Sequence, residues 1–181
     1  MGLEKPFLSK SPIGDHYKYR ITDIFQSQLL ELYYLEHPNE SKSSPRVNKS
    51  IDSFISEYRL NDIWIYYPWH NTALRAVSED IYFKIRTGRN KNYINIREQA
   101  KYHDYAVGII GLSVGASTLH SLVMSGGPKT IKISDYDELD VSNLNRVGAS
   151  LLEVGQNKAH IAARKVWELD PFADLHVWDR G

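Results

Sequence analysis

The chain has 181 residues, of which 42% are hydrophobic and 24% are charged, so it can bury a core and is not disordered along its whole length. Its 22 basic and 22 acidic side chains cancel, which argues against a nucleic-acid or membrane-surface binder. It has no cysteine, which excludes disulfides, Cys-ligated zinc, iron–sulfur clusters and a thiol nucleophile within these residues. No apolar run reaches the roughly 18 residues of a membrane helix, and no signal-peptide core follows the N-terminus. We therefore expect a cytoplasmic protein.

The sequence of the first hundred residues predicts an α+β region of mixed helices and strands, which we take as one domain over residues 1–100. Apolar residues at three- and four-residue spacing predict a helix over about 21–35, and the polar stretch 37–50 predicts a loop. The elements expected after it are a helix capped by Ser50, a strand over 63–67 ended by Pro68, a second strand over 72–77, a helix over 78–87, a basic turn over 87–92 and a helix over 96–104.

Residues 101–181 alternate between short apolar strands and longer helices. The expected elements are a strand over 106–110 buried on both faces, a helix over 113–125, a strand over 130–134, a polar segment to 153, a helix over 155–169 and a strand over 175–178. This order is that of one half of a doubly wound parallel sheet. Since three parallel strands make a poor independent core, we expect the chain to be a piece of a longer polypeptide.

A glycine loop and an acid mark a nucleotide site in this half. The loop Gly111–Ser117 lies where the first strand becomes a helix, so phosphate could approach the free amides of the helix N-terminus. Asp135 ends the next strand, where a carboxylate can accept hydrogen bonds from ribose hydroxyls. The alternatives are a plain strand-to-helix turn and a solvated acid. Together the two features favour a nucleotide but do not choose between NAD, FAD and ATP.

The residues after Asp135 favour a nucleoside triphosphate. Asn143, Arg146 and Lys158 follow it, and a dinucleotide whose pyrophosphate already binds backbone amides does not need them. Cationic side chains can stabilise a departing pyrophosphate. Lys158 is also badly placed for the dipole of its predicted helix, which indicates a functional role; the alternative is an ordinary surface lysine.

These motifs resemble the ThiF/MoeB and ubiquitin-activating-enzyme superfamily over about residues 104–179. The matching segments are the loop Gly111–Ser117, Ser134-Asp135-Tyr136-Asp137, Ser142-Asn143-Leu144-Asn145-Arg146, Val154-Gly155-Gln156-Asn157-Lys158 and Leu169-Asp170-Pro171. The resemblance implies a Rossmann-like fold and an ATP-dependent adenylyltransferase that uses Mg-ATP to activate the C-terminal carboxylate of a ubiquitin-like or sulfur-carrier protein.

The resemblance also assigns the site residues. It implies that Asp135 binds the ribose, that Asn143, Arg146 and Lys158 bind phosphates, and that Asp137 belongs to the nucleotide site. It further implies that Gly111, Ser113 and Gly115 form the phosphate loop.

An Arg-x-x-Arg motif upstream of the first strand implies a homodimer by the same resemblance. In the family, its second arginine reaches the ATP of the neighbouring protomer. Arg86 and Arg89 have this spacing, so Arg89 is the candidate; the alternative is a solvated loop.

The N-terminal region resembles a narrower group of bacterial ThiF-like proteins. The matching segments are Asp23-Ile24-Phe25-Gln26-Ser27-Gln28-Leu29 and Trp64-Ile65-Tyr66-Tyr67-Pro68-Trp69. Some members of that group continue into a nitroreductase-like flavin domain. The aromatic residues at 64–69 could contact a partner protein or form a buried strand.

Because of three departures from the family, we expect these residues alone to bind nucleotide weakly or not at all and not to complete catalysis. Val147 replaces the usual Gln, and Ser113 replaces a loop glycine. In the family, the Mg-binding Asp, the catalytic Cys and the zinc site lie beyond the third strand. The seven histidines of this chain do not have the spacing of a metal site. The rival functions are a non-catalytic nucleotide-binding or dimerisation module and an NAD- or FAD-binding oxidoreductase domain.

Overall fold

The computed structural model describes residues 3–12, 19–40 and 45–180, with residues 45–48 described by their backbone. The described chain divides into two compact units, the first over residues 4–89 and the second over residues 90–180 together with Leu3. The boundary expected at residues 100 and 101 falls inside a helix of the second unit, Ile96–His103.

The first unit combines a sheet with three α-helices among its described residues. Its elements are β1 (Phe7–Ser9), β2 (Arg20–Asp23), α1 (Phe25–Glu36), α2 (Pro45–Glu57), β3 (Asp62–Tyr67), β4 (Thr72–Val77) and α3 (Glu79–Thr87). The strand order is β1-β3-β4-β2, with β2 parallel to β4 and the other pairs antiparallel. The strands and the helix that the sequence predicts over 63–67, 72–77 and 78–87 are confirmed.

The core of the first unit lies between the helices and β4. Leu29 and Leu32 of α1 and Val77 of β4 are almost completely buried, and Ile81 of α3 joins them. Aromatic and aliphatic side chains of α2 pack against this cluster. The apolar spacing that predicted amphipathic helices here therefore corresponds to their buried faces.

Two predictions in this unit are wrong at their boundaries. The helix predicted from residue 21 begins at Phe25, because Ile21 pairs with Ala73 in the sheet as part of β2. The loop predicted over 37–50 gives way to α2 at Pro45, since proline is favoured at a first helical position; Ser50 consequently lies inside that helix. Residues 41–44 of the same stretch lie outside the described residues.

The second unit has the predicted parallel sheet. Its elements are α4 (Ile96–His103), β5 (Ala106–Ile110), α5 (Gly115–Met124), β6 (Thr130–Ser134), α6 (Lys158–Leu169) and β7 (Asp174–Trp178). The three strands pair in the order β5-β6-β7, and both pairs are parallel. The Rossmann-like fold class is confirmed, with the three strands that the sequence predicts.

Only one face of this sheet is buried within the described residues. Ile131, Ile133 and Leu175 are buried on the same face, whereas Lys132, on the opposite face, is exposed. The prediction that β5 is buried on both faces is wrong, since Ile110 is 91% exposed.

The segment between β6 and α6 folds back on itself. The amide of Leu139 donates to the carbonyl of Gln156 at 2.8 Å, and the amide of Gly155 donates to the carbonyl of Leu139 at 2.8 Å. Because residues up to 157 belong to this extended pairing, α6 begins at Lys158 and not at the predicted residue 155. The pairing fixes the start of α6 beside the end of β6.

No helix among residues 3–12, 19–40 and 45–180 has the length and apolar character needed to cross a membrane.

Candidate functional site

Asp135 follows the end of β6, and hydrogen bonds hold it in place on several sides. Its Oδ2 accepts from the Leu112 amide at 2.6 Å and its Oδ1 from the Asp137 amide at 2.9 Å. Its own amide donates to the carbonyl of Trp178 at 3.1 Å, and its carbonyl accepts from Asn157 Nδ2 at 3.2 Å. A carboxylate has about four lone-pair sites, so each oxygen keeps one with which to accept a ligand hydroxyl.

The glycine loop is tied to the same acid and turns sharply at its first residue. Gly111 has a φ of +84°, which side-chain-bearing residues rarely adopt, and its amide donates to the carbonyl of Ser134 at 2.9 Å. At Gly115 an added Cβ would lie 2.8 Å from Ile109 Cγ2, so the start of α5 can approach β5 only without a side chain there. Ser113 lies between them and is half-buried.

Lys158 is a buried cation at the first position of α6. Its side chain is 6% exposed, and its Nζ donates to Asp137 Oδ2 at 2.9 Å. The backbone amide of Lys158 also donates to the carbonyl of Asp137, at 2.9 Å. Lys158 is therefore not at the surface, while its role toward phosphate stays a prediction. A buried ammonium at a helix N-terminus opposes the helix dipole, so it requires a counter-ion.

Asn143 and Arg146 lie in and just after the 3-10 helix Val141–Asn145. Asn143 is buried, and its Oδ1 accepts from the amide of Asp140 at 3.2 Å. Arg146 is exposed, and its Nη1 donates to Asn145 Oδ1 at 3.0 Å. One predicted phosphate ligand is thus fixed by its own turn, while the other is at the surface.

Arg89 belongs to the first unit, where it is exposed just after α3. Its role toward a neighbouring protomer stays a prediction.

Asn157 lies near these groups and has no role predicted from the sequence. It is the N-cap of α6, and its side chain also donates to the carbonyl of Asp135. An Asn directly before a helical apolar pattern is a recognised cap signal. The second contact had no sequence signal, because it depends on how β6 and α6 are brought together.

A histidine–carboxylate pair lies next to this cap. His160 Nε2 and Asp179 Oδ2 are 2.8 Å apart, which joins the first turn of α6 to the residue after β7. This hydrogen bond lowers the pKa of the Asp179 carboxyl. Within the described parts of the chain, no group of three or more His, Asp or Glu side chains could hold a metal ion.

The chain is similar in fold to solved structures of known proteins. E. coli tRNA N6-threonylcarbamoyladenosine dehydratase, TcdA, is similar in its complex with ATP and in its complex with AMP. In each case the TM-score is 0.52 and the identity 24%, over 57% of this chain and 42% of that chain. At this identity the likeness shows the fold alone.

A sequence relative is an uncharacterized protein of Mycobacterium tuberculosis (strain CDC 1551 / Oshkosh). It is 38% identical over 118 residues, which are 65% of this chain and 16% of that protein. The chain therefore spans less than a fifth of the length of this curated relative.

The model of the ThiF family matches residues 87–179, which are more than half of the chain and include every predicted nucleotide-site residue. The chain belongs to the ThiF family.

Proposed function

We propose that this chain supplies the nucleotide-binding half of an ATP-dependent adenylating site. The substrate is the C-terminal carboxylate of a ubiquitin-like or sulfur-carrier protein. The main support is the arrangement at the carboxyl edge of the sheet, where the acid at the end of β6, the glycine loop and a buried lysine are joined by hydrogen bonds through Asp135 and Asp137. Family membership and the fold shared with a dehydratase solved with ATP support the same chemistry.

Each predicted residue has a role in this proposal. Asp135 accepts hydrogen bonds from the ribose hydroxyls, and the amides around Gly111, Ser113 and Gly115 bind phosphate. The ammonium of Lys158 and the side-chain amide nitrogen (Nδ2) of Asn143 bind phosphate oxygens. The exposed side chain of Arg146 exchanges its surface hydrogen bond to Asn145 for contact with the departing pyrophosphate.

The reaction needs positioning and charge neutralisation more than proton transfer. A carboxylate oxygen of the carrier protein attacks the α-phosphorus, a new C–O–P linkage forms, and the bond from the α-phosphorus to the bridging oxygen breaks. The electron pair leaves with pyrophosphate, whose added charge Lys158 and Arg146 stabilise. The attacking carboxylate is already ionised at neutral pH, so no general base is needed.

The donor set fits ATP, since the Asp135 carboxylate can accept from ribose hydroxyls and the cation of Lys158 is linked to it through Asp137. Mg²⁺, when bound to the triphosphate, would neutralise further phosphate charge. Asp137 is the half-exposed carboxylate nearest to Lys158 in the described chain, with its Oδ2 2.9 Å from the ammonium. ATP must therefore compete with Asp137 for Lys158.

The proposal extends to a homodimer in which Arg89 of one protomer contacts the phosphates bound by the other. It is exposed and therefore accessible to a second copy. An Arg89→Ala variant mixed with an Arg146→Ala variant should recover exchange activity above that of either alone, because mixed dimers contain one intact site.

ATP–pyrophosphate exchange on the natural full-length protein, with candidate carrier proteins added, tests the proposal. Arg146→Ala should lower exchange about 10- to 100-fold, the equivalent of one charge-assisted contact, and Lys158→Ala should lower it at least as much. Arg97→Ala is the matched control, because Arg97 is an exposed arginine of α4.

Other outcomes would point to the rival functions. Full exchange in both site variants would defeat the assignment of these residues. Saturable binding of NAD or FAD that is insensitive to the two substitutions would indicate an oxidoreductase domain. The absence of any nucleotide binding would indicate a non-catalytic module.

A further inference from the structure

Asn157 makes two kinds of contact with one side chain. Its Oδ1 accepts from the amides of Ala159 and His160, at 2.8 and 3.3 Å, and so caps α6. Its Nδ2 donates to the backbone carbonyl of Asp135 at 3.2 Å. The cap alone could be provided by Ser, Thr or Asp. The bond to Asp135 needs a hydrogen-bond donor on the same side chain, which an ionised Asp lacks and which Ser or Thr offers only as a hydroxyl with a shorter reach.

The two ends of this link are two parts of the proposed nucleotide site. One end is the backbone of Asp135, whose carboxylate faces the ribose in the proposal. The other end is the start of α6, where Lys158 is the first helical residue. The link therefore sets the distance between the group that holds the ribose and the group that binds the phosphates.

Two further hydrogen bonds connect the same two segments through Asp137. The amide of Lys158 donates to the carbonyl of Asp137 at 2.9 Å, and the amide of Asp137 donates to Asp135 Oδ1 at 2.9 Å. Asn157 closes a ring with these bonds. A displacement of about 1 Å between two groups that bind one ligand can cost a large part of their joint effect.

We propose that Asn157 is a positioning residue that holds Lys158 in register with Asp135, so that both bind the same nucleotide. The inference rests on the proposed function, and it adds a residue to which no role in that function has been given. It implies that Asn157 raises the affinity for ligands that contact both Asp135 and Lys158. Ligands that touch only one of them should be affected less.

The test compares Asn157→Ser and Asn157→Ala in the natural full-length protein. Ser keeps an N-cap, whereas Ala removes both the cap and the link. For each variant and for wild type, we measure the dissociation constant of ATP, the dissociation constant of inorganic pyrophosphate and the melting temperature. We expect Asn157→Ser to weaken ATP binding about 3- to 10-fold and to weaken pyrophosphate binding less than ATP binding, with a melting temperature near that of wild type. Asn157→Ala should lose ATP affinity to the same extent and also lower the melting temperature.

Asn95 provides a matched control. It caps α4 with its Oδ1, which accepts from the amides of Arg97 and Glu98 at 3.0 Å each. Asn95→Ala should therefore lower the melting temperature as Asn157→Ala does, yet leave ATP affinity unchanged. This comparison separates the loss of a helix cap from the loss of the link to Asp135.

The outcomes are distinguishable. ATP binding by Asn157→Ser equal to wild type, or an equal loss for ATP and pyrophosphate, would overturn the positioning role and leave the proposed function standing. A wild-type protein that binds no ATP would overturn both.

Discussion

The ion pair between Lys158 and Asp137 predicts an unequal response to removing its two partners. The ammonium is buried, at 6% exposure, while the carboxylate side chain is 53% exposed. Water can therefore solvate Asp137 if Lys158 is lost, but it cannot reach Lys158 as easily if Asp137 is lost. Removing the acid should cost more folding free energy than removing the base.

The size of the difference follows from the geometry. At 2.9 Å and an effective dielectric constant of about 20, the direct attraction is about 6 kcal/mol before desolvation is subtracted. The net cost of leaving a charged hydrogen-bonding group without its partner is about 1.5–3 kcal/mol, which is our expectation for Asp137→Ala. Lys158→Met keeps the apolar stem and removes the buried charge, so we expect a change within about 1 kcal/mol.

Urea denaturation at neutral pH measures both free energies of unfolding. Lys101→Met and Asp104→Ala are the matched controls, because both residues are exposed near the end of α4. If Asp137→Ala costs no more than Lys158→Met, the lysine reaches water without its partner, and the reasoning from its burial fails.

Three further predictions concern the glycine loop, the acid after β6 and the histidine pair. Gly111→Ala should cost about 1–2 kcal/mol of stability because of its left-handed backbone, while Gly108→Ala, where an added Cβ meets nothing within 4 Å, should not destabilise; thermal denaturation of both variants checks this. Asp135→Asn should cost about 1–3 kcal/mol in urea denaturation, because its amide group would turn a donor toward a backbone N–H; an unchanged midpoint would contradict it. The pKa of Asp179 is lowered by its hydrogen bond with His160, so the carboxyl stabilises the fold above its unfolded pKa and this contribution is lost as the pH falls through the lower folded value. Carbon-13 NMR should show that this lowering of the Asp179 pKa is smaller in His160→Ala.

Most of the second unit could be predicted from its sequence because its strands are short apolar runs between clear helices. The bounds of β5 and β6 agree with the prediction, since their apolar runs end at turns. The exposure of Ile110 could not be predicted, because burial depends on what covers the second face of the sheet. The start of α6 was placed too early because the pairing of Leu139 with residues 155 and 156 extends the preceding strand-like segment.

The candidate site was predicted as a set of residue types but not as a network. Spacing could place Asp135 and Lys158 at the ends of neighbouring elements. It could not show that Asp137 lies between them, or that Asn157 joins β6 to α6, because these contacts arise only when the elements pack. In the first unit, the pairing of Ile21 with β4 likewise overrode a helical pattern.

A crystal structure of the natural full-length protein with a non-hydrolysable ATP analogue tests the central claim most directly. We predict that the ribose hydroxyls lie on the Asp135 carboxylate, and that Lys158 Nζ and the Arg146 guanidinium lie about 3 Å from phosphate oxygens. A bound analogue with Lys158 still on Asp137 and Arg146 turned to solvent would contradict it.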